Sequence, residues 1–346
     1  MTRLGIVRTL QTALSLATFT LASLAPAHAQ SVAEFYRGKT VTLYIGFSVG
    51  GGYDLYARML ARHMVRHIPG NPQIVPQNMA GAGSLRVANF IYQAAPKDGT
   101  AFATMGRGSA FGPLLGQGGP AFDAQKFTWL GSANDEVSVC AAWHTAGFAT
   151  FADLRARAMI TGATGPTDET AQIPKVINGV LGTRMRVVTG YPGGNDINLA
   201  LERGEIEGRC GLSWSSAKVA HQDWIDGRKL KLLVQVAGAK HADLPDVPLA
   251  TDLASTDEQR QILQIFAARQ VMGRPFFAPP DLPRERAVAL RNAFMDTMRD
   301  PEFLAEAARA KLEITPVSGE KVEALVRDVY RTPAEIALKA VALVGQ

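Results

Sequence analysis

The sequence predicts an α/β protein of two lobes, each built on a mostly parallel sheet flanked by helices. Three observations carry this expectation. A β-branched or aromatic run, a glycine-rich turn and an amphipathic helix follow one another repeatedly, the order that parallel strands with crossover helices require. The cycle restarts after "FTWLGSANDE", near residue 136. The chain has 346 residues, too many for one ordinary core and enough for two of ~150 each.

Residues 1–29 read as a secretory leader. Arg3 and Arg8 make a basic start, a short polar-speckled apolar stretch runs from Leu10 to Leu24, and Ala27 and Ala29 offer a cleavage site after Ala29. The stretch is short for a span of ~20 apolar residues, and no later segment qualifies, so a soluble, periplasmic mature chain is expected. Residues 40–47 are β-branched and aromatic and read as a buried strand. The next helix starts at Asp54 as N-cap, with Tyr56, Leu60, Met64 and Ile68 on one apolar face and Arg58, Arg62 and Arg66 on a basic stripe. "PGNP" ends it. "QIVPQN" is a strand, "MAGAGSLRVANFIYQA" a turn into a helix, "KDGTAFATMG" a turn and strand, and "RGSAFGPLLG" a turn leading into a further helix.

In the second cycle "VSVCAAW" is a strand and "TFADLRARA" a helix. "MITGATGPTDETAQIPKVINGVLG" and "MRVVTGYPGGNDINLALERGEIEG" each give strand, glycine turn and helix, and "RCGLSWSS" and "LKLLVQVAG" give further strands. Helices follow near residues 284–298, after Asp300 and from Gly319, and are expected to return to the first lobe. The division is therefore 30–135 plus 270–346 for lobe I and 136–269 for lobe II.

The formal charge is +5, with the bases dispersed and no run resembling a nucleic-acid arm. That mild balance is compatible with an anionic ligand. Export permits a disulfide between Cys140 and Cys210, but buried free thiols are the plainer reading for a chain of this size.

The loop "GFSVGGGYD" lacks the spacing of G-x-G-x-x-G, and no G-K-[ST] follows, so a nucleotide is not indicated. A glycine turn before a helix bares backbone N–H groups at the positive end of the helix dipole, which suits a carboxylate. Four more such turns follow strands: "NMAGAGS", "MGRGS", "TGATGPTDET" and "YPGGND". All fall at the carboxyl ends of strands, where open α/β sheets bind ligands, and together they suit a cleft between lobes. Catalytic patterns are weak. Ser109 and Ser213 are not in G-x-S-x-G. His63 and His67 lack the glutamate of H-E-x-x-H, and arginines flank them, so no metal site is expected. Asp168 and Glu169 read as solvated acids or helix caps.

The segments "FYRGKTVTLYIGFSVGGGYDLYARMLARHM", "VPQNMAGAGSLRVANFIYQAAPKDGT", "VVTGYPGGNDINLALERGEIEG", "LKLLVQVAGAKHADLPDVP" and "FFAPPDLPRERAVALRNAFMDTMRDPEF", in this order, resemble the extracytoplasmic substrate receptors of tripartite tricarboxylate transporters, the Bug-type solute-binding proteins. The resemblance covers the mature chain. It implies a Venus-flytrap fold with the ligand closed between lobes, no cofactor, a monomer, and delivery of a di- or tricarboxylate, amino acid or aromatic acid to membrane subunits. By position it implies ligand contacts at Phe47, Ser48, Gly51, Gly52, Asp54, Asn78, Ala80, Gly81, Gly83, Ser84, Gly108, Ser109, Thr164, Gly165, Thr167, Tyr191, Gly193, Gly194, Asn195, Asp196, Ser213 and Trp214. In this reading the glycines admit backbone donors to the ligand, the hydroxyls add bonds, Asp54 caps the helix behind them, and Tyr191 and Trp214 shape the wall. The chain departs from the family at Gly46 and Val49 of the opening loop and at Met79 and Ala80. It also has no histidine after "GATGPTDET", where Asp168 and Glu169 add negative charge. An exported hydrolase using Ser109 or Ser213, or a sensor without a transporter, is the alternative.

Overall fold

A computed structural model describes residues 30–116 and 118–345; the expected leader, residues 1–29, lies outside the described residues. No helix among the described residues is long and apolar enough to cross a membrane.

The first lobe opens with α1 (Val32–Tyr36), closed by a Ser31–Glu34 capping box, then β1 (Thr40–Ile45), whose alternate residues Val41, Leu43 and Ile45 are fully buried. The chain continues through α2 (Gly52–Met64), β2 (Gln73–Asn78), α3 (Leu85–Gln93), β3 (Ala101–Thr104) and β4 (Thr128–Ser132). It then crosses to β5 (Ser138–Trp143), α4 (Phe151–Ala156), β6 (Met159–Ala163), α5 (Glu169–Leu181), β7 (Met185–Thr189) and α6 (Gly194–Glu202). β8 (Gly208–Ser213), α7 (Trp214–Ala220), α8 (Gln222–Asp226), β9 (Leu230–Val236) and α9 (Asp257–Ala268) complete the second lobe. The return adds β10 (Pro275–Ala278), α10 (Arg284–Thr297), α11 (Pro301–Arg309), β11 (Val317–Ser318), α12 (Gly319–Tyr330) and α13 (Ala334–Val344).

Two sheets result, ordered β11-β4-β10-β3-β1-β2 and β7-β6-β8-β5-β9. Most strands in each run one way. Besides the two-residue edge strand β11, antiparallel to β4, the exceptions mark the crossings: β5, the first strand of the second lobe, is antiparallel to β8 and β9, and β10, the first on return, is antiparallel to β3 and β4. Each enters its sheet from the junction between lobes and so runs against strands that end there.

Three expectations need correction. "RGSAFGPLLG" forms only a short 3-10 turn, Ser109–Phe111, because Gly112, Pro113 and Gly116 break any longer helix. Cys140 and Cys210 are not free thiols: they are bonded, joining β5 to β8 beside the shift in their register. The last helix does not stay with the first lobe. α12 packs on β4, but α13 lies against α5 and α9 of the second. A continuous apolar cluster, including Phe111, Val326, Ala340, Phe266 and Ile177, bridges the lobes there.

Candidate functional site

The glycine turns after β1, β6, β7 and β8 meet across the gap between the sheets. Phe47, Gly50–Tyr53 and Arg274 from the first lobe and Thr164, Asp168–Thr170, Gly194, Asn195, Asn198, Arg209, Gly211–Ser213, Ser216, Ala220 and His221 from the second line one cleft. Phe47 stacks on Tyr53 at 4.5 Å between ring centroids, giving the cleft an aromatic wall.

Two helices point their N-termini into this space. α2 begins at Gly52 after N-cap Gly51, and α6 begins at Gly194 after N-cap Gly193, neither with a side-chain cap. The first amides of a helix have no intrahelical partner and carry its positive dipole end. The two ends face each other closely: a Cβ on Gly51 would stand 4.0 Å from the backbone nitrogens of both Gly194 and Asn195.

Beside them lies Arg209 of β8, which is 4% exposed. Its guanidinium donates to Gly194 O at 2.9 Å and to Asn198 Oδ1, and its Nε has no partner. No carboxylate pairs with it among the described residues, and burial pushes its pKa down to about 10. Asn198 in turn touches His221, whose ring stacks on Trp224 and whose pKa is lowered by burial and by Arg209. Two other buried guanidiniums nearby hold carboxylates, whereas Arg269, like Arg209, has none among the described residues. Arg107 holds Glu169 across the lobes and donates to Ser213 Oγ and Gly273 O. Arg274 holds Glu136 at 3.3 Å and Ser216 Oγ at 2.6 Å, and lies over Tyr53 and Tyr56. Arg269 donates to Gln172 and lies over Phe266.

The expected contact residues divide into three groups. Phe47, Gly51, Gly52, Thr164, Gly194, Asn195 and Ser213 line the cleft, while Ala80, Gly81, Gly165, Tyr191 and again Thr164 line a separate, more open groove at the lobe junction. A second group braces loops from behind. Asp54 is the third residue of α2 and not its N-cap; its carboxylate accepts from Gly50 N at 3.0 Å, from Arg58 and from Asn78. Asn78 also donates to Phe47 O. Ser84 accepts Gly106 N, and Ser109 donates to Gly83 O at 2.6 Å. Thr167 is wholly buried, and Trp214 sits in the second lobe's core with Nε1 on Asp243.

The third group is where the lobes touch. A Cβ on Gly83 would meet Asp168 at 2.8 Å, on Gly108 Glu169 N at 2.8 Å, on Gly165 Gly83 N at 2.5 Å, and on Gly193 Ser48 Oγ at 2.3 Å. Ser48 also donates to Asp196 across the lobes at 2.6 Å. These glycines admit the opposite lobe, so the structure is a closed one. Asp168 and Glu169 are likewise not solvated: Asp168 is the N-cap of α5, and Glu169 is buried on Arg107 and Gln270. The sequence reading missed Tyr53, Arg107, Asn198, Arg209, His221 and Arg274. A signal existed for one: Arg209 is a lone charge in an otherwise apolar and glycine strand, "GRCGLS".

Neither candidate serine carries an activating base. The Ser109 hydroxyl is spent on a carbonyl, and Ser213 Oγ faces the Arg107 guanidinium, whereas an activated nucleophile requires a base at its hydrogen. The histidines are taken up by carboxylates: His63 meets Glu306 at 2.6 Å and His67 meets Asp300 at 2.7 Å. In the cluster of His241, Asp243 and Glu313, Lys218 already bonds both carboxylates.

No protein-family model matches the chain, and no curated protein matches it. Solved structures do. The periplasmic binding protein BugD superposes with a TM-score of 0.70 at 19% identity, covering 88% of this chain and 98% of its own. MatC from Rhodopseudomonas palustris with bound malate gives 0.69 at 18%, covering 88% and 99%. A second R. palustris protein, with adipate, gives 0.68 at 15%, covering 88% and 97%. The fold is thus the two-lobed one of Bug-type and related periplasmic binding proteins.

Proposed function

We propose that this chain is a periplasmic solute receptor that captures a small carboxylate by closing its lobes on it and delivers it to the membrane subunits of a tripartite tricarboxylate-type transporter. One observation carries the reading: closure brings two uncapped helix N-termini and the unpaired, buried Arg209 together around one cleft. Three positive ends repel each other and are costly to dry, unless an anion lies between them. The anion binds the closed form far better than the open one, and that difference drives closure. Carboxylates in two structural neighbours support the ligand class, and the leader-like residues 1–29 support export.

A thermal-shift screen of small acids tests it, with Arg209→Met alongside. A carboxylate should stabilise the wild-type protein at one equivalent and be recovered unchanged. Arg209→Met should bind it about 10- to 150-fold more weakly, as expected for hydrogen bonds to a charged group worth ~1.5–3 kcal/mol. The variant's unliganded form should be no less stable, since the substitution removes an unpaired buried charge. Turnover of the stabilising acid would replace this reading with the hydrolase alternative.

A further inference from the structure

Apart from the Asp54–Arg58 pair, which balances itself, the cleft and its immediate backing hold four buried guanidiniums, Arg107, Arg209, Arg269 and Arg274, against three buried carboxylates, Glu136, Asp168 and Glu169. The surplus is one positive charge. The carboxylates differ in what they still need. Glu136 is taken up by Arg274, by Ser215 and by backbone amides, and Glu169 by Arg107 and Gln270. Asp168 lines the cleft itself. Its Oδ1 accepts from Thr170 N at 3.1 Å and Thr170 Oγ1 at 2.7 Å, while no hydrogen bond or ion pair reaches its Oδ2 among the described residues; that oxygen lies beside the cleft residue Phe47 and against Gly106, where a Cβ would stand 2.4 Å from it.

We infer that the site takes a singly charged carboxylate that also carries a hydroxyl or amide donor, and that Asp168 sets this choice. The inference rests on the receptor reading above and refines it. A surplus of one charge is neutralised by one carboxylate. A free carboxylate oxygen in an enclosed cleft can only accept, so it is satisfied by a donor on the ligand and repels a second carboxylate. The neighbours with malate and adipate hold diacids, so the inference gives this chain a different preference from theirs.

The test uses four acids of equal chain length: butyrate, 3-hydroxybutyrate, succinate and malate, titrated calorimetrically into the wild type and Asp168→Asn. Asparagine is an equally good N-cap, so the variant removes the charge and keeps the start of α5. The wild type should bind 3-hydroxybutyrate at least about tenfold more tightly than butyrate, succinate or malate. In Asp168→Asn the preference for monoanions over diacids should shrink by about tenfold or more. A wild type that binds succinate or malate as well as 3-hydroxybutyrate overturns the inference and leaves the receptor reading standing. So does a variant with unchanged ratios. If none of the four acids binds the wild type, the carboxylate reading falls and takes this refinement with it.

Discussion

Adding one methyl group at Gly52 separates closure from folding. Gly52 is the first residue of α2 in the first lobe, and a Cβ there would lie 2.1 Å from Ser216 Oγ of the second and 3.1 Å from an Arg274 nitrogen. Its backbone is helical, so alanine is at ease within the lobe. Only the closed form suffers: Ser216 must give up its 2.6 Å hydrogen bond from Arg274, or the lobes must part. Overpacking of this kind costs ~1–3 kcal/mol. Because the ligand needs the closed form, the cost enters the dissociation constant as about a 5- to 150-fold increase. Calorimetry with whichever acid stabilises the wild type measures it, and the unliganded melting temperature should barely move. Ser216→Ala added to Gly52→Ala removes the atom at 2.1 Å, leaves the β-carbon at 3.2 Å, and should recover most of the lost affinity. Unchanged affinity in Gly52→Ala, or a loss that the second substitution fails to relieve, would refute the closed-lobe contact.

Asp300 links stability to pH. Hydrogen bonds from Arg66 and His67, with the amides of Glu302 and Phe303, outweigh burial and hold its carboxyl far below the usual carboxylate range. A pKa lower in the fold than in the unfolded chain (~3.9) gives stability that is present above that value and lost as pH falls through it toward the folded pKa. Asp300→Asn keeps the cap of α11, so it should be less stable at pH 7, and its melting temperature should fall less steeply than the wild type's between pH 5 and 2; parallel curves would contradict this. The Cys140–Cys210 bond closes a 70-residue separation, for which loop-closure entropy gives about 4 kcal/mol. Replacing both cysteines with alanine should lower the melting temperature by roughly 5–15 °C, and an unchanged melting temperature would argue that the bond constrains nothing.

The alternation of strand, turn and helix was legible because period-2 and period-3.6 patterns are local, as "QIVPQN" and its exact match to β2 show. The role of the glycines was not. Gly83, Gly108 and Gly165 look in sequence like the cleft-lining Gly51, yet what fills the space beside them is a segment of the other lobe, and no local pattern reports that. The arginines were passed over for a related reason. A charged side chain beside glycines, as in "GRGS" or "GRPFF", reads as exposed turn, and only the meeting of two lobes buries Arg107 and Arg274. β10 escaped because four residues that start with one proline and are followed by another give too short a pattern, and the N-cap expected at Asp54 lies three residues earlier, because Gly51 already starts the turn.

The position of α13 has a mechanical consequence. The chain passes between lobes at residues 133–137 and 269–274, and again at 331–333, where Arg331, Thr332 and Pro333 join α12 on the first lobe to α13 on the second. Two strips of chain make a door hinge; a third makes a check-strap. Extended chain spans at most about 3.5 Å per residue, and Pro333 stiffens one of the three links. The opening swing at that edge is therefore limited by a tether only a few residues long, so the gap offered to an entering ligand is governed by a segment that never touches it.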